Sequence, residues 1–116
     1  MTPVFIGVSV VYALMCAAPA AMKLTGTAQM RTAAEHFGIP WNRYRVIGIL
    51  EAAAAAGVLA GICWRIVGLA AALGMVALLV GAAIMHRRAH DAIRESVSAL
   101  VFLAASVVYL GFWMAV

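Results

Sequence analysis

Four ionisable side chains lie at or near the ends of long apolar segments, at positions that predict one shared end of a bundle: Lys23, Glu51, His86 and Asp91. Glu51 is the most unusual, because residues 46–61 are otherwise all apolar or glycine. A carboxylate in such a run is costly in hydrocarbon and needs a counter-charge, a water-filled cavity or a proton. Amine, carboxyl and imidazole groups held together could also bind a polar ligand and exchange protons with it.

The composition indicates the medium in which these groups must be held. Of the 116 residues, 67% are hydrophobic and 10% are charged, and the mean hydropathy is +1.08. The average soluble domain has about 25% charged residues. Four apolar runs of roughly 20 residues, each long enough to cross about 30 Å of hydrocarbon, account for nearly all of the chain. We therefore predict one domain over residues 1–116, an all-α transmembrane four-helix bundle.

The predicted spans cover approximately residues 4–23, 45–63, 66–86 and 95–115. Between the first two, apolar residues recur at helical spacing at positions 30, 33, 34 and 37. Thr27 can cap the start of this segment, and Gly38 can end it. The pattern predicts a short amphipathic helix over residues 27–37, lying at the inner membrane interface.

The basic residues indicate how the bundle is oriented. The connection between the second and third spans has Arg65 alone, whereas the other two connections have seven Lys or Arg residues. These are Lys23, Arg31, Arg43, Arg45, Arg87, Arg88 and Arg94. The excess predicts that both basic connections are cytoplasmic and both termini extracytoplasmic, in a cell membrane. The net charge of +4 then reflects this topology. It predicts contact with anionic membrane lipid and not with nucleic acid.

The sequence offers no set of residues for catalysis or metal binding. It contains no nucleophile with a base and acid at a known spacing, so we predict no catalytic residue and no activity in isolation. His86 and His90 are four residues apart, but zinc needs further ligands and a bis-His haem needs histidines on different helices. We predict no metal site and no cofactor of its own. Cys16 and Cys63 are predicted at different depths, too far apart for a disulfide.

The predicted depths allow Lys23 to pair with Glu51. Glu51 is about 9 Å from the inner end of its span, and a lysine stem can extend along apolar surface. One interpretation is a structural clamp that fixes helix register. The other is a cytoplasm-facing polar pocket around Lys23, Glu51 and His86 that binds a ligand. Without a cation, Glu51 would bind a proton or face an oligomer interface or partner subunit.

Small residues recur every four positions in three of the runs and permit close helix packing. Examples are the pairs Gly57 and Gly61, Ala70 and Gly74, and Ala77 and Gly81. We expect these residues in the bundle core, with a homo-oligomer interface as the alternative.

Four segments together resemble the DoxX-like family. They are Lys23-Leu24, Phe37-Gly38-Ile39-Pro40, Ile47-Gly48-Ile49-Leu50-Glu51 and His86-Arg87-Arg88-Ala89-His90-Asp91, and the resemblance covers the whole chain in order. It implies a four-helix membrane protein. Relatives have been linked to quinone-coupled sulfur oxidation and to membrane-associated oxidative-stress complexes, and some animal relatives look like assembly chaperones for membrane receptors. No matched residue has a known catalytic step.

Two functional hypotheses follow. The first is a small non-catalytic membrane subunit of a redox or oxidative-stress complex, in which the pocket around Lys23, Glu51 and His86 binds a quinone-like or other small amphipathic ligand. The alternative is a membrane scaffold or assembly factor, in which the same cluster is purely structural. In that case a partner membrane protein contacts residues 27–37 or the small-residue stripes.

Overall fold

The computed structural model describes residues 3–90 and 97–115, and every regular element in them is a helix. The prediction of an all-α fold is therefore confirmed, with no strand among the described residues. The five helices are α1 Pro3–Thr25, α2 Ala28–Phe37, α3 Trp41–Ala60, α4 Arg65–Arg88 and α5 Val97–Ala115.

Helix α2 has a defined start and stop. The Thr27 side chain accepts a hydrogen bond from the backbone N–H of Met30 at 3.3 Å, which satisfies one of the free donors of the first turn. Gly38 has φ +69°, a left-handed conformation that glycine adopts without strain, and its N–H donates to the carbonyl of Glu35 at 3.0 Å. The helix therefore lies within the segment predicted from residues 27–37.

The four longer helices form a ring. Helix α1 packs against α3 and α5, and α4 packs against the same two neighbours. Helix α2 contacts α1, α3 and α4, and lies across the end where α1 and α4 finish and α3 begins. We call this end of the bundle the α2 end.

Glycines allow α3 and α4 to approach closely. A Cβ on Gly57 would lie 2.7 Å from the Cβ of Ala71, and a Cβ on Gly61 would lie 2.5 Å from the Cα of Gly68. Even a methyl group at either position would force the two helices apart. Gly57 and Gly61 of α3 therefore serve the bundle core, as expected.

The small residues of α4 point elsewhere. Gly74 and Gly81 are exposed, with nothing within 4 Å of an added Cβ, and Ala70 and Ala77 are exposed as well. We expected these small residues of α4 to face the bundle core, and that prediction is wrong. Helix α4 instead turns four other residues inward, namely Gly68, Ala72, Met75 and Leu79.

Most of the apolar surface of the longest helices lies on the outside. Among the described residues, α1 and α4 are long and apolar enough to cross a membrane, and only 33% of the most apolar stretch of α1 and 22% of that of α4 is buried. Core helices of a soluble protein are mostly buried, whereas exposed apolar faces of this size mark contact with lipid or another protein. The two helices therefore indicate a membrane protein.

Candidate functional site

Lys23 and Glu51 form a buried ion pair between α1 and α3. The Nζ atom of Lys23 is 2.6 Å from Oε1 of Glu51, and the two residues are 8% and 4% exposed. Among the described residues no hydroxyl or amide donates a hydrogen bond to this oxygen, so the ammonium is its polar partner. The cost of burying the carboxylate is therefore offset by a direct opposite charge.

The surroundings of the pair are closely packed. Tyr44, Gly48 and Glu51 follow one another at spacings of four and three residues, so they share one face of α3. A Cβ on Gly48 would lie 2.7 Å from the Cβ of Lys23. The ring centroid of Tyr44 is 5.2 Å from Nζ of Lys23, within reach of a cation–π attraction. The hydroxyl of Tyr44 in turn points toward Sδ of Met30 at 4.0 Å.

His86 is placed against α2. Its ring meets the ring of Phe37 edge-on, with centroids 5.0 Å apart, so it helps to join the end of α4 to α2. Helix α4 ends at Arg88, and His90 beyond it has φ 59°; the two histidines therefore do not share a helix face. Asp91, the fourth predicted site residue, lies outside the described residues. Of the predicted set, the structure thus brings Lys23 and Glu51 into direct contact.

A cavity of about 380 Å³ lies beside the contact of Phe37 with His86, between the ends of α2 and α4. Neither Lys23 nor Glu51 lines it. The sequence reasoning missed this cavity. The available signals were the end of α2 at Gly38 and the basic residues at the end of α4. The lining residues are Glu35, His36, Phe37, Gly38, Met85, Arg88 and Ala89.

A second buried polar contact joins α1 to α5. The hydroxyls of Tyr12 and Ser106 are hydrogen-bonded to each other, and Ser106 donates to the carbonyl of Phe102 at 3.0 Å. The rings of Tyr12 and Tyr109 stack with centroids 5.1 Å apart. The sequence reasoning missed this contact as well. The available signal was the isolated polar residues at helical spacing within apolar runs.

The end of the bundle opposite α2 is joined by Arg65 and Trp113. The indole Nε1–H of Trp113 donates to the carbonyl of Arg65 at 2.8 Å, and the Arg65 guanidinium donates to the Trp113 carbonyl. The guanidinium carbon lies 4.2 Å from the centroid of the indole ring system. This pair fastens the start of α4 to the end of α5. It consists of residue types that favour a membrane interface.

The fold and its polar contacts define a class, the small helical membrane proteins. No group of three His, Cys, Asp or Glu side chains among the described residues is arranged to hold a metal ion. The chain belongs to the DoxX-like family, whose model matches residues 7–109, as the sequence resemblance indicated. It matches no curated protein and no solved structure.

Proposed function

We propose that this protein is a non-catalytic membrane scaffold or assembly factor, in which the Lys23–Glu51 pair is a structural clamp between α1 and α3. The observation that supports this is the closed geometry of the pair: a 2.6 Å contact, with Gly48 packed against the lysine stem. A site built to bind a ligand would leave one polar group available to it. Here the two charges are directed at each other.

We further propose that α1, α3, α4 and α5 all cross the cell membrane. A helix the length of α4 spans about 36 Å, enough for the hydrocarbon core. The α2 end carries most of the basic residues and would face the cytoplasm, with both termini outside. Under this arrangement α2 lies at the inner interface, and its exposed face is available to a partner membrane protein. A homo-oligomer is an alternative use of the exposed α4 stripe.

A second candidate function is a ligand-binding subunit of a redox or oxidative-stress complex. The observation that favours it is the cavity of about 380 Å³ between α2 and α4, within the roughly 300–1,000 Å³ typical of small-molecule sites. Phe37 and Met85 offer apolar contacts, while His36 and Arg88 offer polar ones. A quinone-like or other small amphipathic ligand has both kinds of surface. In this form of the hypothesis the ligand lies beside His86 and not on the Lys23–Glu51 pair.

Mass spectrometry of the protein isolated in its native lipid tests the two candidates together. The scaffold proposal expects a partner protein at fixed stoichiometry, recovered also by crosslinking, with no bound quinone-like molecule. The second candidate expects such a molecule, lost in a Met85→Ala variant and kept in an exposed control such as Ala77→Ser. A monomer carrying only bulk lipid would contradict both candidates.

Glu51→Gln separates the role of the ion pair from that of the cavity. Under the scaffold proposal the variant lowers the melting temperature and leaves any ligand binding unchanged, because the pair lies outside the cavity. Loss of a bound ligand with an unchanged melting temperature would assign the pair to a binding site and overturn the clamp.

A further inference from the structure

A second cavity, of about 260 Å³, lies between α4 and α5 near the α2 end of the bundle. Its walls are mostly aliphatic side chains from the two helices, including Val80, Ile84, Leu100 and Leu103. Arg87 is the one charged side chain among its described lining residues. Among the described residues, this α4–α5 groove therefore combines apolar walls with a single cation at one end.

The α4–α5 groove opens to the side of the bundle. Val80, Ile84 and Leu100 are 47%, 52% and 52% exposed, so in a membrane they face hydrocarbon. The α4 lining extends from Leu79 to Arg87, a rise of eight residue steps or about 12 Å along the helix axis. The Arg87 side chain is exposed in the last turn of α4, where a long cationic side chain reaches the polar headgroup layer.

The lining and position of the groove indicate which occupant fits. Its aliphatic walls run for about 12 Å along α4 and open toward the lipid, which matches part of an extended hydrocarbon chain. The Arg87 guanidinium at the end of the groove matches an anionic phosphate, which arginine can bind through two parallel hydrogen bonds.

We propose that the α4–α5 groove binds one acyl chain of an anionic phospholipid, with the lipid phosphate held by Arg87. This site is independent of the Lys23–Glu51 clamp and of the cavity between α2 and α4. It would give the protein a fixed lipid at the cytoplasmic leaflet, where anionic lipids accumulate under the proposed orientation.

Native mass spectrometry of the detergent-purified protein, titrated with phosphatidylglycerol or phosphatidylcholine of identical acyl chains, tests the proposal. We expect the anionic lipid to bind in preference, with one lipid bound before any others. Arg87→Gln should weaken phosphatidylglycerol binding about fivefold, the effect of one basic residue at a membrane surface. It should weaken phosphatidylcholine binding less, because the choline ammonium of that lipid already offsets part of the charge on its phosphate. Ala83→Phe should fill the groove and weaken the binding of both lipids.

Two variants outside the groove provide matched controls. Arg45→Gln removes an exposed arginine from α3, and Ala77→Phe adds the same bulk to an exposed position of α4; both should bind lipid like the wild type. Equal binding of the two lipids, or equal loss in the Arg87 and Arg45 variants, would overturn the proposal. So would a dimer that Ala83→Phe dissociates, because the groove would then hold a second copy.

Discussion

Lys23 lies against Gly48 so closely that the glycine cannot carry a side chain. A Cβ on Gly48 would be 2.7 Å from Cβ of Lys23 and 3.5 Å from its Cδ. The lysine stem therefore crosses α3 at the glycine and reaches Glu51 one turn further along, where the two charged atoms are 2.6 Å apart. The close helix approach and the ion pair depend on each other.

We predict that Gly48→Ala destabilises the protein by about 1–3 kcal/mol, the usual cost of overpacking a core. The clashing atom is a Cβ attached to the α1 backbone and not the end of a flexible side chain, so the helices must separate. Thermal unfolding in detergent measures the change. Gly74→Ala is the control, because an added methyl there meets nothing within 4 Å. Equal melting temperatures for the two variants would contradict the close contact.

A double-mutant cycle on Lys23 and Glu51 should reveal strong coupling. Lys23→Met or Glu51→Met alone leaves one buried charge without its partner and should cost about 3–5 kcal/mol. The double variant, with two apolar side chains of similar length, should recover most of that loss. Unfolding free energies of the four proteins give the coupling, and Glu35→Gln on the exposed face of α2 is a control expected to have little effect. Simple additivity of the two single effects would exclude the clamp.

The sequence was sufficient for features set by local chemistry. Thr27 and Gly38 determine where α2 begins and ends, because a cap and a left-handed glycine act within one helical turn. The predicted depths allowed Lys23 to pair with Glu51 but left a proton or a partner subunit as alternatives, since an isolated carboxylate in an apolar run can be satisfied in several ways. The packing of α1 on α3 decides for the ion pair.

Which face of α4 lies toward the bundle core could not be predicted in this way. Gly68 turns to the core and Gly74 outward, yet both belong to runs of small and apolar residues at helical spacing. In lipid an outward face need not be polar, so hydropathy does not distinguish it from the inward face. The contact of Tyr12 with Ser106 joins residues 94 positions apart, and only the packing of α1 on α5 brings them together.

Gly68 and Tyr109 should be energetically coupled. The Tyr109 hydroxyl occupies the place where a side chain on Gly68 would lie, and a Cβ there would also be 3.1 Å from the Cα of Gly61. We expect Gly68→Ala to destabilise the protein by about 1–3 kcal/mol. The Tyr109 hydroxyl makes no hydrogen bond of regular geometry among the described residues, although Ser9 lies close enough to interact with it. We therefore expect Tyr109→Phe to change the stability little.

Combining the two changes tests the contact directly. Tyr109→Phe should rescue part of the loss caused by Gly68→Ala, because removing the hydroxyl makes room for the methyl group, while the contact with Gly61 remains. Melting temperatures of the two single variants and the double variant measure the rescue. A double variant no more stable than Gly68→Ala would show that the hydroxyl is not the obstacle.

The native cysteines provide a probe of orientation. Cys63 is exposed at the end of the bundle opposite α2, whereas Cys16 is fully buried. If the α2 end is cytoplasmic, a membrane-impermeant maleimide should label intact cells at Cys63 alone, and Cys63→Ala should abolish the label. Adding Gln29→Cys to that variant places a thiol on the exposed face of α2, which should react only in inverted vesicles. Labelling of Cys63 from the cytoplasmic side would reverse the proposed topology, because the basic connections would then lie outside.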